Sequence, residues 1–373
     1  MRDKDMKFSE KWQFIIAWFL ATRIILTIVG VLARCYINSP HVFSYINKPW
    51  LAIWGVWDSG WYLNIAQQGY SAITGATINT INQANYAFFP LYPALIAGLG
   101  KLIGNYYIAG IIISNISLII ACSLLYEIVS REFGKKIAKL SVKYLFLFPV
   151  AFIFSGIFSE SLFLRLVLAS FSFSQQLKWW KTGLVSSFTT LTRPMGIFVA
   201  IPLIFEYLEH RKFKIKSIRL DILAFGLPVI SMFLFVYYIY GLTKDWLALL
   251  NVQVGWGRIG LYNPLLVLWG GLHASEFNIV FSAIFTVLAI ILLVVGYKKL
   301  KLSYTLYSVI LLSIPLLTSV ESMPRYILVI FPIFIILGLI SCSRKIDVFL
   351  SVLLGITQIV LMIFWTTGFD LVK

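Results

Sequence analysis

Four charged residues, far apart in a chain that is poor in charge, have side chains suited to transferring a group to a hydroxyl. They are Asp58 in "WDSGWYLNIAQQGY", Glu160 in "FSGIFSESLF", Arg193 in "LTRPMG" and Arg325 in "SVESMPRYILVIFP". A carboxylate can take a proton from a hydroxyl, and arginine holds phosphate through paired hydrogen bonds. If the fold brings all four to one membrane face, they suit a negatively charged, lipid-linked substrate. For each arginine, the alternative is an anchor that faces lipid headgroups.

The elements that must position these residues are membrane helices. Of the 373 residues, 60% are hydrophobic and only 12% are charged, whereas soluble domains carry about 25% charged residues. Several apolar stretches reach the roughly 20 residues that a spanning helix needs. The sequence therefore predicts an all-α, polytopic membrane protein, a single integral-membrane domain over residues 1–373 with about eleven helices. We expect them at residues 12–34, 106–129, 138–155, 161–177, 182–192, 195–208, 219–241, 277–297, 303–319, 325–341 and 346–366.

Basic residues are distributed unevenly among the predicted loops. Much of the net charge of +16 lies in "REFGKK", "HRKFKIK", "YKKLK" and "SRK", on one side of the predicted topology, which the positive-inside rule makes cytoplasmic. This pattern explains the charge without nucleic-acid binding. The first apolar stretch is longer than the about 7–15 residues of a signal-peptide core. We therefore expect an uncleaved first helix, with the N-terminus on the cytoplasmic side of the cell membrane.

Residues 88–104 decide the topology of the N-terminal third. As a spanning helix they would move the later basic loops to the outside, so we prefer a helix that lies at the outer surface. Residues 35–105 then form one long external segment, which carries Asp58 and is rich in aromatic residues. The other three charged residues also reach this extracytoplasmic face.

Tryptophans recur around Asp58. Trp50, Trp54, Trp57 and Trp61 are spaced by four, three and four residues, which at about 100° per residue predicts a stripe on one helical face with Asp58 at its edge. Taken alone, this pattern favours an interfacial helix anchored by its tryptophans, with Asp58 facing water.

Arg23 is a charge near the middle of the first predicted helix. A charge at membrane depth costs at least about 2.5–3.5 kcal/mol, and such residues usually line a functional cavity. For Arg23, substrate binding and a structural hydrogen bond to a neighbouring helix, for example to a carbonyl group, are both open.

Other motifs give little support to further chemistry. "GWGRIG" at residues 255–260 matches the dinucleotide pattern G-x-G-x-x-G but follows no predicted strand. The three His and three Cys are scattered without metal-ligand spacing. We expect neither a metal nor a cofactor.

The segment "WDSGWYLNIAQQGY", followed by "YAFFPLYPALI", resembles the PIG-V family of GPI mannosyltransferase 2 type and its bacterial and archaeal relatives. "FSESLF", "TRPMGIF" and "SMPRYILVIFP" also resemble segments of this family, in order and over most of the chain. The resemblance implies a bundle of the GT-C superfamily, whose multispanning glycosyltransferases carry an essential acid in the first external loop. Such enzymes take a sugar from a polyprenyl-phosphate carrier and invert its anomeric centre.

By this resemblance the acid motif falls on Asp58, and the later polar motifs fall on Glu160, Arg193 and Arg325. We expect Asp58 to deprotonate an acceptor hydroxyl while Arg325 or Arg193 stabilises the departing lipid phosphate, so that no metal is required. The expected donor is a polyprenyl-phosphate hexose, with mannose favoured, and the acceptor is a lipid or glycan hydroxyl. The substrate-binding candidates are Trp57, Trp61, Tyr62, Glu160, Arg193, Arg325 and Arg23.

Two other classes of function stay open. A lipid or glycolipid transporter or flippase would also need charges at membrane depth such as Arg23, but transporters often contain inverted repeats and none is visible in the sequence. A non-catalytic assembly partner is the third possibility. The long external segment with its acid and aromatic residues favours the enzyme.

Overall fold

The computed structural model describes residues 2–37, 44–72 and 83–371, with the backbone alone for residues 2–8. Within these ranges the regular elements are helices, and no strand occurs. The all-α prediction is therefore confirmed. Residues 38–43 and 73–82, which belong to the predicted external segment 35–105, lie outside this description.

Five helical stretches within the described ranges are long and apolar enough to cross a membrane, which makes the chain a multi-pass membrane protein. They cover Ser9–Tyr36, Tyr106–Leu147, Leu220–Thr243, Phe277–Lys299 and Arg344–Thr366. The predicted count of about eleven spans is not confirmed. In chain order the α-helices are α1 (Arg2–Tyr36), α2 (Pro49–Ala52), α3 (Ser59–Gln68), α4 (Leu91–Ile103), α5 (Tyr106–Leu147), α6 (Glu160–Gln175), α7 (Trp179–Thr192), α8 (Ala200–His210), α9 (Leu227–Thr243), α10 (Ala248–Asn251), α11 (Pro264–Leu272), α12 (Phe277–Gly296), α13 (Leu302–Leu316), α14 (Met323–Leu328), α15 (Pro332–Ile340) and α16 (Arg344–Thr366).

The boundaries of several helices differ from the prediction. The predicted helix 106–129 and residues 138–147 of the predicted helix 138–155 lie in one long helix, α5, which has non-helical dihedrals at Gly134 (φ 84°) inside "REFGKK". The predicted helix 325–341 is divided into α14 and α15, because Pro332 lacks the N–H that a continuous helix would need. The loop predicted between residues 241 and 277 contains α10 and α11.

The predicted tryptophan stripe is wrong. Helix α2 ends at Ala52 and α3 begins at Ser59, and Trp57 between them has a left-handed backbone with φ 54°. The four indole rings therefore do not share a helical face. Trp50 is 55% exposed, whereas Trp54 is buried in the main hydrophobic core.

Helix α4 has the length expected of a helix that does not span the membrane. Its 13 residues measure about 20 Å, which is less than the about 30 Å of a hydrocarbon core. It packs against α3 and α5. The face of the membrane on which it lies stays a prediction.

The segment between α5 and α6, which includes the 3₁₀ helix Ala151–Ser155, leads to Glu160, and side chains from other helices hold the backbone in and just before it. Arg23 of α1 donates to the Ala151 carbonyl oxygen over 3.0 Å. Gln358 of α16 donates to the carbonyl oxygens of Phe146 and Phe148 over 2.9 and 3.0 Å. Because buried carbonyl groups need partners, these contacts fix the path of the chain into α6.

Candidate active site

Asp58, Glu160, Arg193 and Arg325 form one network of charged side chains. Arg325 Nη1 donates to Asp58 Oδ2 over 2.6 Å, and Arg325 Nε donates to Glu160 Oε1 over 3.0 Å. Arg193 Nη1 lies 2.7 Å from the same Glu160 oxygen, an ion-pair contact without the alignment of a hydrogen bond. Two carboxylates and two guanidiniums therefore alternate, and their formal charges balance.

Asp58 is the N-cap residue of α3, but its carboxylate makes no capping hydrogen bond to that helix. The carboxylate turns instead to Arg325 and keeps 23% of its side chain exposed. The left-handed backbone of Trp57 precedes it, a conformation that costs about 1–2 kcal/mol for a residue with a Cβ. Tertiary contacts therefore hold Asp58 where local preferences would not place it.

Glu160 is the first residue of α6 and is fully buried. The preceding residue, Ser159, shares a 2.9 Å hydrogen bond with the Tyr62 hydroxyl. Tyr62 in turn packs edge-to-face on Phe88 and Tyr92 of "FFPLYP". The two N-terminal motifs are thus packed together, and Tyr62 connects them to the start of α6.

Arg193 has an extended backbone and lies between α7 and the 3₁₀ turn Pro194–Val199. The predicted separation between the helices 182–192 and 195–208 is therefore confirmed. The turn folds back onto α7 so closely that a Cβ on Gly196 would lie 2.1 Å from the Thr189 carbonyl oxygen. This close approach requires glycine at position 196, three residues after Arg193, whose guanidinium lies beside Glu160.

Arg325 is carried by the short helix α14. The residue before that helix, Ser322, has φ 62°, again in the left-handed region. The Arg325 guanidinium lies 4.8 Å from the centre of the Phe158 ring. Arg325 is thereby held between the start of α6 and the carboxylate of Asp58.

Burial and pairing act in opposite directions on the ionisation of the network. Burial alone would raise the pKa of the Glu160 carboxyl, but the guanidiniums of Arg193 and Arg325 hold that pKa below its ordinary value. Burial alone would lower the pKa of Arg193, whereas the Glu160 carboxylate raises it. Burial raises the pKa of the Tyr62 hydroxyl, and the Glu160 charge adds to this effect. Glu160 and Arg193 therefore stay charged, and Tyr62 stays neutral.

The network borders a cavity of about 430 Å³. The side chains of Asp58, Arg193 and Arg325 line it, and the aromatic residues Trp61 and Tyr62 lie on its wall. The Trp61 ring stacks on Phe88 with their centres 5.8 Å apart, and Trp256 packs at the edge of both rings. Charged groups and aromatic faces thus meet in one concave space, as is typical of ligand-binding sites.

Three of the predicted substrate-binding residues do not line this cavity: Trp57, Arg23 and the fully buried Glu160, which contacts the lining residues Arg193 and Arg325. Trp57 donates from Nε1 to the Trp365 carbonyl oxygen over 3.1 Å and packs on the main core. Arg23 is buried and donates to Ala151. Of the two possibilities open for Arg23, the contact with a carbonyl group is the one that the structure contains. Trp57 and Arg23 support the segments that carry the site.

Several residues of the cavity were not among the predicted site residues. Gln253, Trp256 and Arg258 reach it from the turn after α10, in and beside "GWGRIG", and Tyr326 and Glu321 reach it from the segment around Arg325. The glycine pattern gave no sign of this role, because no strand and phosphate-binding helix surround it. The presence of Trp and Arg in a polar segment between apolar helices was the available signal.

Among the described residues, no group of three or more His, Cys, Asp or Glu side chains has the arrangement of a metal site. The two carboxylates of the network are each paired with arginine. Arg193 and Arg325 supply the positive charges of these ion pairs.

No protein-family profile and no curated protein matches the sequence. Solved structures do match the fold. ArnT from Cupriavidus metallidurans, bound to undecaprenyl phosphate, aligns with a TM-score of 0.56 at 11% identity, over 95% of this chain and 76% of ArnT. This likeness shows a GT-C-like helical fold. The oligosaccharyltransferase AglB from Archaeoglobus fulgidus aligns with a TM-score of 0.45 at 14% identity, over 95% of this chain and 56% of AglB, so the chain spans about half of AglB.

Proposed function

We propose that this chain is an inverting glycosyltransferase that moves a hexose, with mannose favoured, from a polyprenyl-phosphate carrier to a lipid or glycan hydroxyl. The observation that carries the proposal is the Asp58 carboxylate on the cavity wall, partly exposed and held by Arg325. A carrier of this class is supported by the fold shared with ArnT, whose structure contains undecaprenyl phosphate. The resemblance of "WDSGWY" and "FFPLYP" to the PIG-V family supports mannose.

In this reaction Asp58 is the catalytic base. Its carboxylate takes the proton of the acceptor hydroxyl as the acceptor oxygen bonds to the anomeric carbon of the sugar. The bond between that carbon and the phosphate oxygen breaks on the opposite face, and the lipid phosphate leaves with the electron pair. Attack from the opposite face inverts the anomeric centre.

The other residues of the network orient Asp58 and shape the cavity. Arg325 fixes one carboxylate oxygen, and Glu160 and Arg193 fix Arg325 from the buried side. Trp61 and Tyr62 offer aromatic surface to a sugar ring. Such a preorganised arrangement lowers the barrier because little needs to reorganise during transfer.

We place the cavity on the extracytoplasmic face, with the N-terminus in the cytoplasm. The support is the charge asymmetry, since "REFGKK", "HRKFKIK", "YKKLK" and "SRK" fall on the opposite side of the predicted topology. A single integral-membrane domain over residues 1–373, with membrane lipids around it, fits this arrangement.

A transfer assay tests the proposal against a flippase. Purified full-length chain is incubated in vesicles with radiolabelled polyprenyl-phosphate mannose and a membrane lipid extract. We expect the label to enter a product that mild acid no longer releases as free sugar. Movement of the labelled carrier across the vesicle without incorporation would support the flippase instead.

A further inference from the structure

The cavity contains a third arginine, Arg258, which belongs to "GWGRIG" and takes no part in the network of Asp58, Glu160, Arg193 and Arg325. Its Nη1 donates to the Thr318 hydroxyl and its Nη2 to the Glu321 carbonyl oxygen, each over 3.1 Å. Both of these partners are neutral groups. The side chain is half-buried and lines the cavity.

Arg193 and Arg325 are poorly suited to bind a phosphate in addition to their carboxylates. Both are buried, and each contacts Glu160, while Arg325 also holds Asp58. Turning either guanidinium toward a phosphate would remove one of the two counter-charges of the buried Glu160 carboxylate, and turning Arg325 would also remove the partner of Asp58. Breaking buried pairs in this way is unfavourable. Their positive charge is therefore already neutralised inside the network.

Arg258 does not have this restriction. Among the ion pairs of the described part of the chain, none includes Arg258, so a phosphate could replace its neutral partners without leaving a charge unpaired. Its guanidinium lies 5.1 Å from the centre of the Tyr326 ring, and that of Arg193 lies 5.4 Å from the same ring. Arg258 is thus close to the network but chemically separate from it.

We propose that Arg258 binds the phosphate of the lipid carrier. This inference rests on the proposed function and alters one part of the expected mechanism, since the departing phosphate is stabilised by Arg258 rather than by Arg325 or Arg193. Leaving-group stabilisation and base orientation are then divided between arginines from different segments. Trp256, two residues before Arg258, lines the same cavity and packs against the Trp61 ring.

The test compares binding of two lipids that differ only in the phosphate. The purified full-length chain is titrated with radiolabelled undecaprenyl phosphate and with the uncharged alcohol undecaprenol. We expect the wild type to bind the phosphate at least about tenfold more tightly, as a charge-assisted hydrogen bond provides. Arg258→Gln should bring the two affinities close together, and Arg258→Lys should keep much of the preference.

Control variants separate this inference from the proposed function. Arg131→Gln removes an exposed arginine outside the cavity and should keep the wild-type preference. Asp58→Asn should keep the preference while losing transfer. If Arg258→Gln, folded as judged by its melting temperature, keeps the wild-type preference, or if the wild type has none, the inference is overturned. If Arg258→Gln loses the preference but the wild type transfers no sugar, the role of Arg258 in phosphate binding is supported and the proposed transferase activity is rejected.

Discussion

Arg325 Nη1 and Asp58 Oδ2 lie 2.6 Å apart, although the two residues are separated by 267 positions in the sequence. The same guanidinium donates through Nε to the buried Glu160. The carboxylate proposed as the base is therefore oriented by an arginine that is itself anchored in the protein interior.

Arg325→Met removes the guanidinium that joins the two carboxylates. Because Glu160 then loses one of its two buried counter-charges and Asp58 loses its partner, we expect a loss of stability of about 3–5 kcal/mol and loss of transfer. Thermal unfolding in detergent measures the first effect. The matched control, Arg131→Gln, breaks an exposed pair with Glu127 and should change stability by less than about 1 kcal/mol. Equal effects of both substitutions would contradict the account.

Glu160 makes the stability of the protein depend on pH. Its folded-state pKa lies below the ordinary value of 4.5 because burial, which would raise it, is outweighed by Arg193 and Arg325. The carboxylate therefore contributes stability above pH 4.5, and this contribution is lost as pH falls through the lowered pKa. Melting temperatures of the wild type and Glu160→Gln should differ most above pH 4.5 and converge in more acidic solution. A difference that stays constant with pH would argue against the ion pairs.

Gly196→Ala tests how the chain positions Arg193. The added Cβ would lie 2.1 Å from the Thr189 carbonyl oxygen, so the turn must move away from α7. We expect a loss of about 1–3 kcal/mol in stability and reduced transfer as Arg193 shifts from Glu160. Gly355→Ala is the control, since a Cβ there meets nothing within 4 Å and alanine favours the helix by up to about 1 kcal/mol. Wild-type activity in Gly196→Ala would show that the turn is not required.

Trp57 and Trp61 should differ in what they contribute. Trp57→Phe removes the hydrogen bond to the Trp365 carbonyl oxygen and should lower stability by about 1 kcal/mol with little change in KM. Trp61→Leu removes a ring from the cavity wall and should raise the KM for the sugar donor. Steady-state kinetics and unfolding of the two purified variants check the contrast, and the reverse pattern would contradict it.

The sequence located the charged residues of the site but not their pairing. Asp58, Glu160, Arg193 and Arg325 were recognisable because charge is rare in this chain and because the surrounding motifs resemble a known family. The pairing of acids with arginines depends on the packing of α3, α6 and α14. It therefore cannot be predicted from the spacing of residues in the sequence. The all-helical fold followed from the apolar stretches, whereas several helix ends depended on breaks at Gly134 and Pro332.

One wrong prediction and one omission have a common physical origin. The tryptophan stripe assumed one continuous helix, but Trp57 has a left-handed backbone imposed by tertiary contacts, which periodicity does not reveal. The cavity role of "GWGRIG" was not predicted, because its Trp256 and Arg258 reach the cavity through a turn. In both cases the packing of distant segments, rather than local preference, decided the outcome.

Transfer by the Asp58→Asn variant tests the central claim most directly, because the amide keeps the size of the carboxylate but cannot act as the base. The rate of label incorporation from polyprenyl-phosphate mannose is measured for the wild type and the variant, with melting temperature and undecaprenyl phosphate binding as checks of folding. We predict that the variant binds the lipid phosphate and transfers at least about a hundredfold more slowly. Transfer by Asp58→Asn at the wild-type rate would contradict the account.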